Sequence, residues 1–334
     1  MALLSLDQIE ELTEAALRRC GATALQAGAT ARSVRDAEAE GIRNVGLGYL
    51  PLYCSHLLCG KVVGTAVPAV AAPDGATLRA DANLGFAHPA FESALDPFAG
   101  LVSRHGIALL TITRSYSAGV LGWMVDLIAR RGLVALAFAN SSPLVAPWGG
   151  RVPRLGTNPF AYAVPRSNDD PLVFDMATSA TAYVNILEAA NDNRPIPLGW
   201  ALDADGTPTD DPHRALAGTV APLGGAKGFG LGLLVEIFGA GLSGSNWGID
   251  SSSFGDDEGG PPGVGQSFVA IDPNRSSQRF SERLERLLGV LHSDAGVRLP
   301  GERRHASRRA AETNGVDVPD ALLTQINALG HDGS

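Results

Sequence analysis

The sequence predicts an α/β protein, with an α/β domain over residues 66–274 inserted into a small helical domain that residues 1–65 and 275–334 build together. Three observations predict it. Between 66 and 274, short apolar runs alternate with amphipathic stretches and Gly/Pro-rich turns, the texture of stacked strands and helices. The two ends are instead charged and helically periodic, a character the middle lacks. No G-x-G-x-x-G follows an early strand, and Gly46-Leu47-Gly48 follows a helix and lacks the third glycine, so the sheet is not of the Rossmann kind.

The elements follow in order. Ser5-Leu6-Asp7-Gln8 is a capping box, and Ile9, Leu12, Ala16, Leu17 and Cys20 then recur at helical spacing. An Ala/Glu/Arg-rich stretch predicts a helix over 31–43, and Pro51 sits in the first turn of another over 50–58. Pro68, Pro73, Asp74-Gly75 and Asn83 punctuate turns between short strands. Next come a helix over 90–104, a strand over 107–112, a helix over 123–130 and strands over 133–139, 160–164 and 172–175. A helix over 182–190 precedes a long apolar helix over 228–242 that is entered from a glycine loop. Residues 251–265 form a Gly/Ser/Asp/Pro loop, 267–271 a strand, and 281–292 and 319–329 the closing helices.

Bulk properties narrow the function. The chain has 334 residues and 45% hydrophobic content, enough for two domains and a sizeable core. A net charge of −9 argues against nucleic acid and against an anionic membrane surface as partners. No apolar run is long enough to span a bilayer, and the N-terminus has acids but no basic n-region. Cys20, Cys54 and Cys59 are sparse and odd in number, which suits a reducing cytoplasm and small buried hydrophobes. His105, His213, His292, His305 and His331 show no metal-ligand spacing, and His56 does not share a helix face with Cys54 or Cys59, so no metal site is expected. Asp210-Asp211 and Asp256-Asp257-Glu258 read as solvated loops, and Arg303-Arg304 with Arg308-Arg309 as a solvated helix face.

Chemistry concentrates elsewhere. Asn140-Ser141-Ser142 ends a buried strand, a common seat for a ligand in an α/β protein. Two loops follow, Ala146-Pro147-Trp148-Gly149-Gly150 and Leu155-Gly156-Thr157-Asn158-Pro159, with free backbone N–H groups and small side chains suited to phosphates. Gly224-Gly225-Ala226-Lys227-Gly228-Phe229-Gly230 is an anion-site candidate: glycines admit the ligand, a helix start adds its positive end and Lys227 a charge. The loop alone suits a tight turn with a solvated lysine equally well. Asp175 ends a strand, where a carboxylate either caps the next helix or orients a ligand.

These motifs, in this order, resemble the malate/L-lactate dehydrogenase family. That family also holds sulfolactate and ureidoglycolate dehydrogenases and the Δ1-piperideine-2-carboxylate/Δ1-pyrroline-2-carboxylate reductases. The resemblance runs on through Phe174-Asp175-Met176-Ala177-Thr178-Ser179, Arg194-Pro195-Ile196-Pro197-Leu198-Gly199-Trp200-Ala201-Leu202-Asp203, Pro222-Leu223-Gly224-Gly225-Ala226-Lys227-Gly228 and Leu299-Pro300-Gly301-Glu302, nearly the whole chain. It implies a mixed-sheet, non-Rossmann NAD(P)-binding domain inserted in the helical one. It also implies a homodimer whose active site lies in a cleft near the partner subunit, and a small anionic 2-oxo or cyclic 2-imino acid as substrate. Asn140, Ser141, Pro147, Gly149, Thr157, Asn158, Asp175, Thr178, Ser179, Lys227 and Gly228 are then expected around the cofactor, with NADP favoured over NAD. Arg114, Arg151, Arg154 and Lys227 are the groups able to meet a 2′-phosphate.

The chain departs from the family where its proton donor stands. The family reads S-H-G-V-x-R-x-P; here Asn44, Val45 and Tyr49 occupy the Ser, His and Arg places. Valine cannot donate a proton, and tyrosine cannot hold a carboxylate bidentately. Tyr116 and Ser117 replace a second family histidine, and Tyr183-Val184-Asn185 replaces the usual R-G-K. Substrate contacts are therefore expected from Asn44, Tyr49, Tyr116 and Ser117, and from the partner subunit. Three explanations stand. A cyclic imine arrives already protonated and needs no donor, unlike a ketone, whose reduction makes an alkoxide. Alternatively, Tyr49, Tyr116 or His88 donates, with Asp175 orienting the nicotinamide or the donor, and the substrate is an oxo acid matching malate, lactate or sulfolactate. Or the chain is a weakened paralogue that binds cofactor and does little with it.

Overall fold

The structure is a computed structural model that describes residues 1–167 and 169–330; His331 lies outside the described residues. Strand β1 (Ala2–Leu4) leads into helices α1 (Leu6–Arg19) and α2 (Ala24–Ala39). The capping box forms as predicted, with Gln8 N on Ser5 Oγ at 3.2 Å and Ser5 N on Gln8 Oε1 at 2.8 Å. Helix α2 begins seven residues before the predicted start, capped by Thr23. Almost all of it is buried, so it lacks the one-sided apolar pattern from which a start is read. Two single turns, Arg43–Val45 and Leu47–Tyr49, precede α3 (Leu50–Leu58), which matches its predicted span.

The middle of the chain supplies β2 (Ala69–Ala71), β3 (Thr77–Asp81), α4 (Ala87–His105), β4 (Ile107–Ser115), α5 (Leu121–Ala129), β5 (Val134–Ala139), β6 (Phe160–Val164) and β7 (Leu172–Met176). After α6 (Tyr183–Asn191) come the two-residue strands β8 (Ala201–Leu202) and β9 (Pro208–Thr209), α7 (Pro212–Leu216) and β10 (Thr219–Val220). Helix α8 (Ala226–Glu236) continues as a π turn, Ile237–Gly241, before β11 (Val264–Ile271). The chain closes with α9 (Pro273–Ser276), α10 (Phe280–His292), α11 (Glu302–Asn314), β12 (Val316–Val318) and α12 (Asp320–Ala328).

Seven strands form one mixed sheet in the order β2-β3-β4-β11-β5-β6-β7. Only β3 and β4 run parallel; β11 returns from far along the chain to lie antiparallel between β4 and β5. A right-handed succession of parallel strands, the Rossmann plan, is therefore absent from this sheet. Its core is aromatic and alanine-rich: Phe91, Phe98, Trp123 and Phe268 from α4, α5 and β11 pack with Ala80, Ala135, Ala137, Ala161 and Ala163 of the strands. A second core joins the ends of the chain, placing Ile9, Leu17, Leu50 and Tyr53 with Ala311, Val316, Val318 and Ile326. Strands β1 and β12 pair antiparallel beside it. Helix α10 instead buries Leu288 against Leu172 and Leu299, under the end of β7.

Two buried polar clamps anchor α2. Gln26 of α2 donates from Nε2 to Ala66 O at 2.8 Å and accepts from Phe86 N at 2.9 Å. Trp123 Nε1 donates to Asp36 Oδ2 at 2.8 Å. Asp36 and Glu40 also receive Arg308, at 3.2 and 2.8 Å, and Arg304 lies 3.6 Å from Glu40. The expected solvated face of α11 is thus corrected at two positions: Arg304 and Arg308 are about one-fifth exposed and bridge α11 to α2. A charged side chain on a helix turns inward when carboxylates wait behind it.

Candidate active site

One edge of the sheet gathers the candidate residues. The registers Val264↔Ser115, Gln266↔Ala139, Phe138↔Phe160 and Phe160↔Met176 align the ends of β4, β5 and β7 with the starts of β11 and β6. The loops 116–120, 140–159 and 177–182 leave from this edge, and the segment after α8 arrives at it. Two cavities of about 300 and 320 Å³ lie at the opposite end, around Arg166 and Pro171, where β6 turns into β7. Neither touches this chemistry.

The hub of the edge is a residue that the sequence reading missed. Glu236, 4% exposed at the end of α8, accepts from Gly248 N at 2.6 Å, Asn158 Nδ2 at 2.7 Å and Asn140 Nδ2 at 3.4 Å. Asn140 Oδ1 in turn accepts from Gly265 N at 2.9 Å, and Asn158 Oδ1 from Ser141 N at 3.3 Å. Thr178 Oγ1 donates to the carbonyls of Thr157 and Asn158, both at 3.1 Å, and Ser179 Oγ to Thr181 O at 2.8 Å. The predicted residues Asn140, Ser141, Thr157, Asn158, Thr178 and Ser179 are therefore one contiguous unit. The π turn reaches it because residue 239 is glycine: a Cβ there would sit 2.7 Å from Asn140 N.

Helix α8 begins beside this unit. Gly224 and Gly225 take φ values of +58° and +72°, which L side chains rarely adopt. The helix has no capping side chain, and exposed Lys227 sits in its first turn without an ion-pair partner among the described residues. Gly228 is packed against Leu223, whose carbonyl a Cβ at 228 would overlap, and Leu223 N bonds Thr178 O at 2.9 Å. Trp148, 62% exposed, lies over Gly225. An uncapped helix start, a lysine and open glycines form a donor set that fits a phosphate-bearing cofactor. Pro147 is half-buried and Gly149 exposed, on either side of Trp148 in the loop. Arg114 is committed to Asp81 and Asn83, while exposed Arg151 and Arg154 have no ion pair among the described residues.

Asp175 caps a helix, but not the next one. Its Oδ2 accepts from Gly122 N at 2.8 Å, in the first turn of α5, and Arg304 lies 3.4 Å away. A Cβ at residue 122 would crowd Asp175 and displace the Arg304 guanidinium.

The donor candidates form a second group where the first loop leaves β4. Tyr49, Tyr53, Phe86, Tyr116 and Phe254 pack edge to face, with centroids 4.9–5.9 Å apart. Tyr116 is fully buried, and its hydroxyl lies 2.5 Å from Nδ1 of buried His56, a residue the sequence reading had set aside. Burial pushes the Tyr49 phenol up to about 12 and that of Tyr116 higher, so both stay protonated at neutral pH. His88 is 1% exposed with neither ring nitrogen hydrogen-bonded, and burial pulls it down to about 4. Its Nε2 faces Gly119, where a Cβ would lie 3.0 Å away, so the ring leaves little room for a side chain at residue 119. Ser117 Oγ accepts from Gly119 N at 3.2 Å. Asn44 is exposed and Val45 half-buried against the sheet core, so the turn that replaces the family motif brings no ionisable group inward between them.

The match to known proteins is chain-long. The family model described as malate/L-lactate dehydrogenase matches residues 4–327. The chain is 41% identical over 326 residues to the (2R)-3-sulfolactate dehydrogenase (NADP(+)) of Chromohalobacter salexigens, covering 98% of this chain and 97% of that protein. It is 38% identical to the Delta(1)-pyrroline-2-carboxylate reductase of Ancylobacter novellus, covering 99% and 98%. The crystal structure of the delta1-piperideine-2-carboxylate reductase of Pseudomonas syringae superposes with a TM-score of 0.94 at 35% identity, covering 98% of this chain and all of that one. With its mixed sheet, its polar sheet edge and its glycine-lysine helix start, the chain belongs to the malate/L-lactate dehydrogenase family of oxidoreductases.

Proposed function

We propose that the chain is an NAD(P)H-dependent reductase of a small anionic cyclic 2-imino acid, Δ1-pyrroline-2-carboxylate or Δ1-piperideine-2-carboxylate. One observation carries this reading: Val45 stands where the family keeps its proton-donating histidine, while the Glu236 unit and the α8 start are intact. A protonated imine becomes a neutral amine on receiving hydride and asks nothing of residue 45. The nicotinamide, when bound, supplies that hydride. Asn140, Ser141, Thr157, Asn158, Thr178 and Ser179 shape its pocket, with Pro147 and Gly149 on the flanking loop. Lys227 and the amides around Gly228 hold phosphate, and NADP is favoured over NAD. Asp175 fixes the start of α5 through Gly122 N and, at the cofactor edge, orients the nicotinamide. Asn44, Tyr49 and Ser117 face the substrate.

Around this site the α/β unit, residues 66–274, is inserted in a helical unit of 1–65 and 275–334. The shared core of Ile9, Leu17, Val316 and Ile326 supports that division. Leu233, Leu234, Ile237 and Leu242 are each more than two-fifths exposed on α8 and its π turn, an apolar face that suits a homodimer. The protein is expected in the cytoplasm.

A second reading, a 2-hydroxy acid dehydrogenase acting on sulfolactate, malate or lactate, draws on the 41% identity to the sulfolactate enzyme and on the Tyr116–His56 contact. The test is NAD(P)H oxidation across pH on Δ1-pyrroline-2-carboxylate, Δ1-piperideine-2-carboxylate, pyruvate, oxaloacetate and sulfopyruvate. Turnover of the imines, falling as they deprotonate, is expected. Turnover of oxo acids alone moves the assignment to the second reading, and cofactor binding without any turnover marks a weakened paralogue.

A further inference from the structure

Trp148 is held over the start of α8 by a rigid turn. Gly150 N donates to Pro147 O at 2.8 Å, and Gly149, third in that turn, takes φ +83°, the left-handed value that a type II turn needs there. The stem of the loop is fixed as well. Val145 bridges to Leu155 on one side and to Val220 on the other, and Val220 N donates to Leu144 O at 2.9 Å. The indole at the tip is nevertheless 62% exposed. Its six-membered ring lies over Gly225, where a Cβ would come within 2.8–3.4 Å of three ring atoms. Glycine at 225 thus serves both its φ of +72° and the close approach of the ring. Part of the ring is seated on protein, and the rest is open.

Asp175 and Trp148 mark the two ends of a continuous path. From Asp175 the chain runs to Thr178 and Ser179, which meet the segment 221–223. Leu223 N donates to Thr178 O at 2.9 Å, Ala180 N to Ala221 O at 2.8 Å, and Ser179 bridges to Pro222. A turn closed by Gly225 N on Pro222 O at 3.2 Å then leads into the uncapped start of α8 and Lys227. Trp148 stands over that turn. With the nicotinamide at Asp175 and the phosphates at the start of α8, the part of the dinucleotide left to place is its adenosine. The group waiting there is an indole.

We propose that Trp148 is the stacking platform for the adenine of the cofactor. The inference rests on the cofactor reading above and extends it from the hydride-bearing ring to the opposite end of the molecule. Adenine offers an uncharged, flat π face, the partner that an exposed indole takes best. A platform held by a closed turn is ordered before the ligand arrives, so the stacking energy appears in the affinity. The charge on the same loop agrees. Arg151 and Arg154 follow Trp148, exposed and without an ion pair among the described residues. Arg151 is steadied against Gly206 of the β8–β9 turn, where a Cβ would come within 2.8 Å of its own. Positive charge beside the adenosine is what a 2′-phosphate requires.

The test is the binding of NADPH and of adenosine 2′,5′-bisphosphate, a fragment without nicotinamide, to the wild type, Trp148→Ala and Trp148→Phe. Calorimetry gives the NADPH Kd, and competition against NADPH that of the fragment. Trp148→Ala should raise both Kd values alike, by roughly 30-fold, the scale of one base stacked on an aromatic ring. Trp148→Phe keeps a π face and should recover most of that loss. The fragment alone should quench tryptophan emission in the wild type, and the quenching should vanish in both variants. Because Trp148 is exposed, both variants should keep the wild-type Tm. Sedimentation velocity on the same samples reports a role of the ring between copies of the chain. Four results overturn the platform: an unchanged fragment Kd in Trp148→Ala, a loss for NADPH alone, a wild type that binds NADPH without competition from the fragment, or a loss that appears only with dissociation of an oligomer. Each of these leaves the cofactor reading standing, whereas a wild type that binds neither probe sinks both.

Discussion

Replacing Glu236 tests whether the cofactor edge is organised as described. Its carboxylate, 4% exposed, takes hydrogen bonds from Gly248 N and Asn158 Nδ2 at 2.6 and 2.7 Å, with Asn140 Nδ2 at 3.4 Å. Hydrogen bonds to a charged acceptor are worth about 1.5–3 kcal/mol each, and a buried donor left alone costs a similar amount. Counting the two short bonds fully and the long one lightly, Glu236→Ala should cost about 4 kcal/mol. Glu236→Gln keeps one acceptor oxygen and turns an amide toward the other donor, so about 2 kcal/mol is expected. For a chain of this length, an unfolding entropy of about 2 cal/mol/K per residue converts 4 kcal/mol into a fall in Tm of roughly 6 °C. Because Asn140 and Asn158 set the loops on which Ser141 and Thr157 sit, NADPH affinity should fall by more than about tenfold in Glu236→Ala, at a temperature where it is folded. Urea unfolding and cofactor fluorescence titration measure the two effects. An alanine variant within 1 kcal/mol of wild type, or equal in cost to glutamine, would refute the hub.

Other expectations follow from the same geometry. Lys227→Ala should raise the NADPH Kd about tenfold with little change in stability, the scale of one charge-assisted contact; an unchanged Kd detaches Lys227 from the phosphate. Arg308→Leu leaves Asp36 and Glu40 without their shared partner and should cost about 3 kcal/mol in denaturant unfolding. His88 titrates near 4 when folded and near 6.5 when unfolded, so the unfolded state binds the extra proton first. Its contribution is complete above pH 6.5 and is lost as pH falls toward 4, about 3 kcal/mol in all. His88→Phe should flatten the stability profile over that interval.

Much of this fold was legible because its elements obey local rules. The capping box at Ser5, the Pro51 helix start and the apolar run at β6 each declare themselves within a few residues. What escaped was set by distant partners. Strands of two or three residues, such as β1, β8 and β12, carry no periodicity. The site was legible where polar residues follow a strand, as at Asn140 and Thr178. Glu236 was missed although it left a signal: it is the sole acid in the apolar run Phe229–Leu242, and an acid there is buried with donors or faces water. His56 was weighed against Cys54 and Cys59 on its own helix, whereas its partners come from residues 116 and 256. Arg304 and Arg308 looked solvated because the carboxylates they meet lie far away in sequence, at Asp36, Glu40 and Asp175.

The pairing of β1 with β12 also sets an order of events during synthesis. Ala2, Leu3 and Leu4 wait for Val318, Asp317 and Val316, so β1 pairs only after β12 has been made. Ile9 and Leu17 share a core with Ala311 and Ile326, which emerge from the ribosome long after them. Contacts so far apart along the chain are slow to close. Until then α1 carries an apolar stripe without its full cover, at the stage when nascent chains most often need a chaperone or aggregate. Late closure of this core is the consequence of building it from segments so distant in sequence.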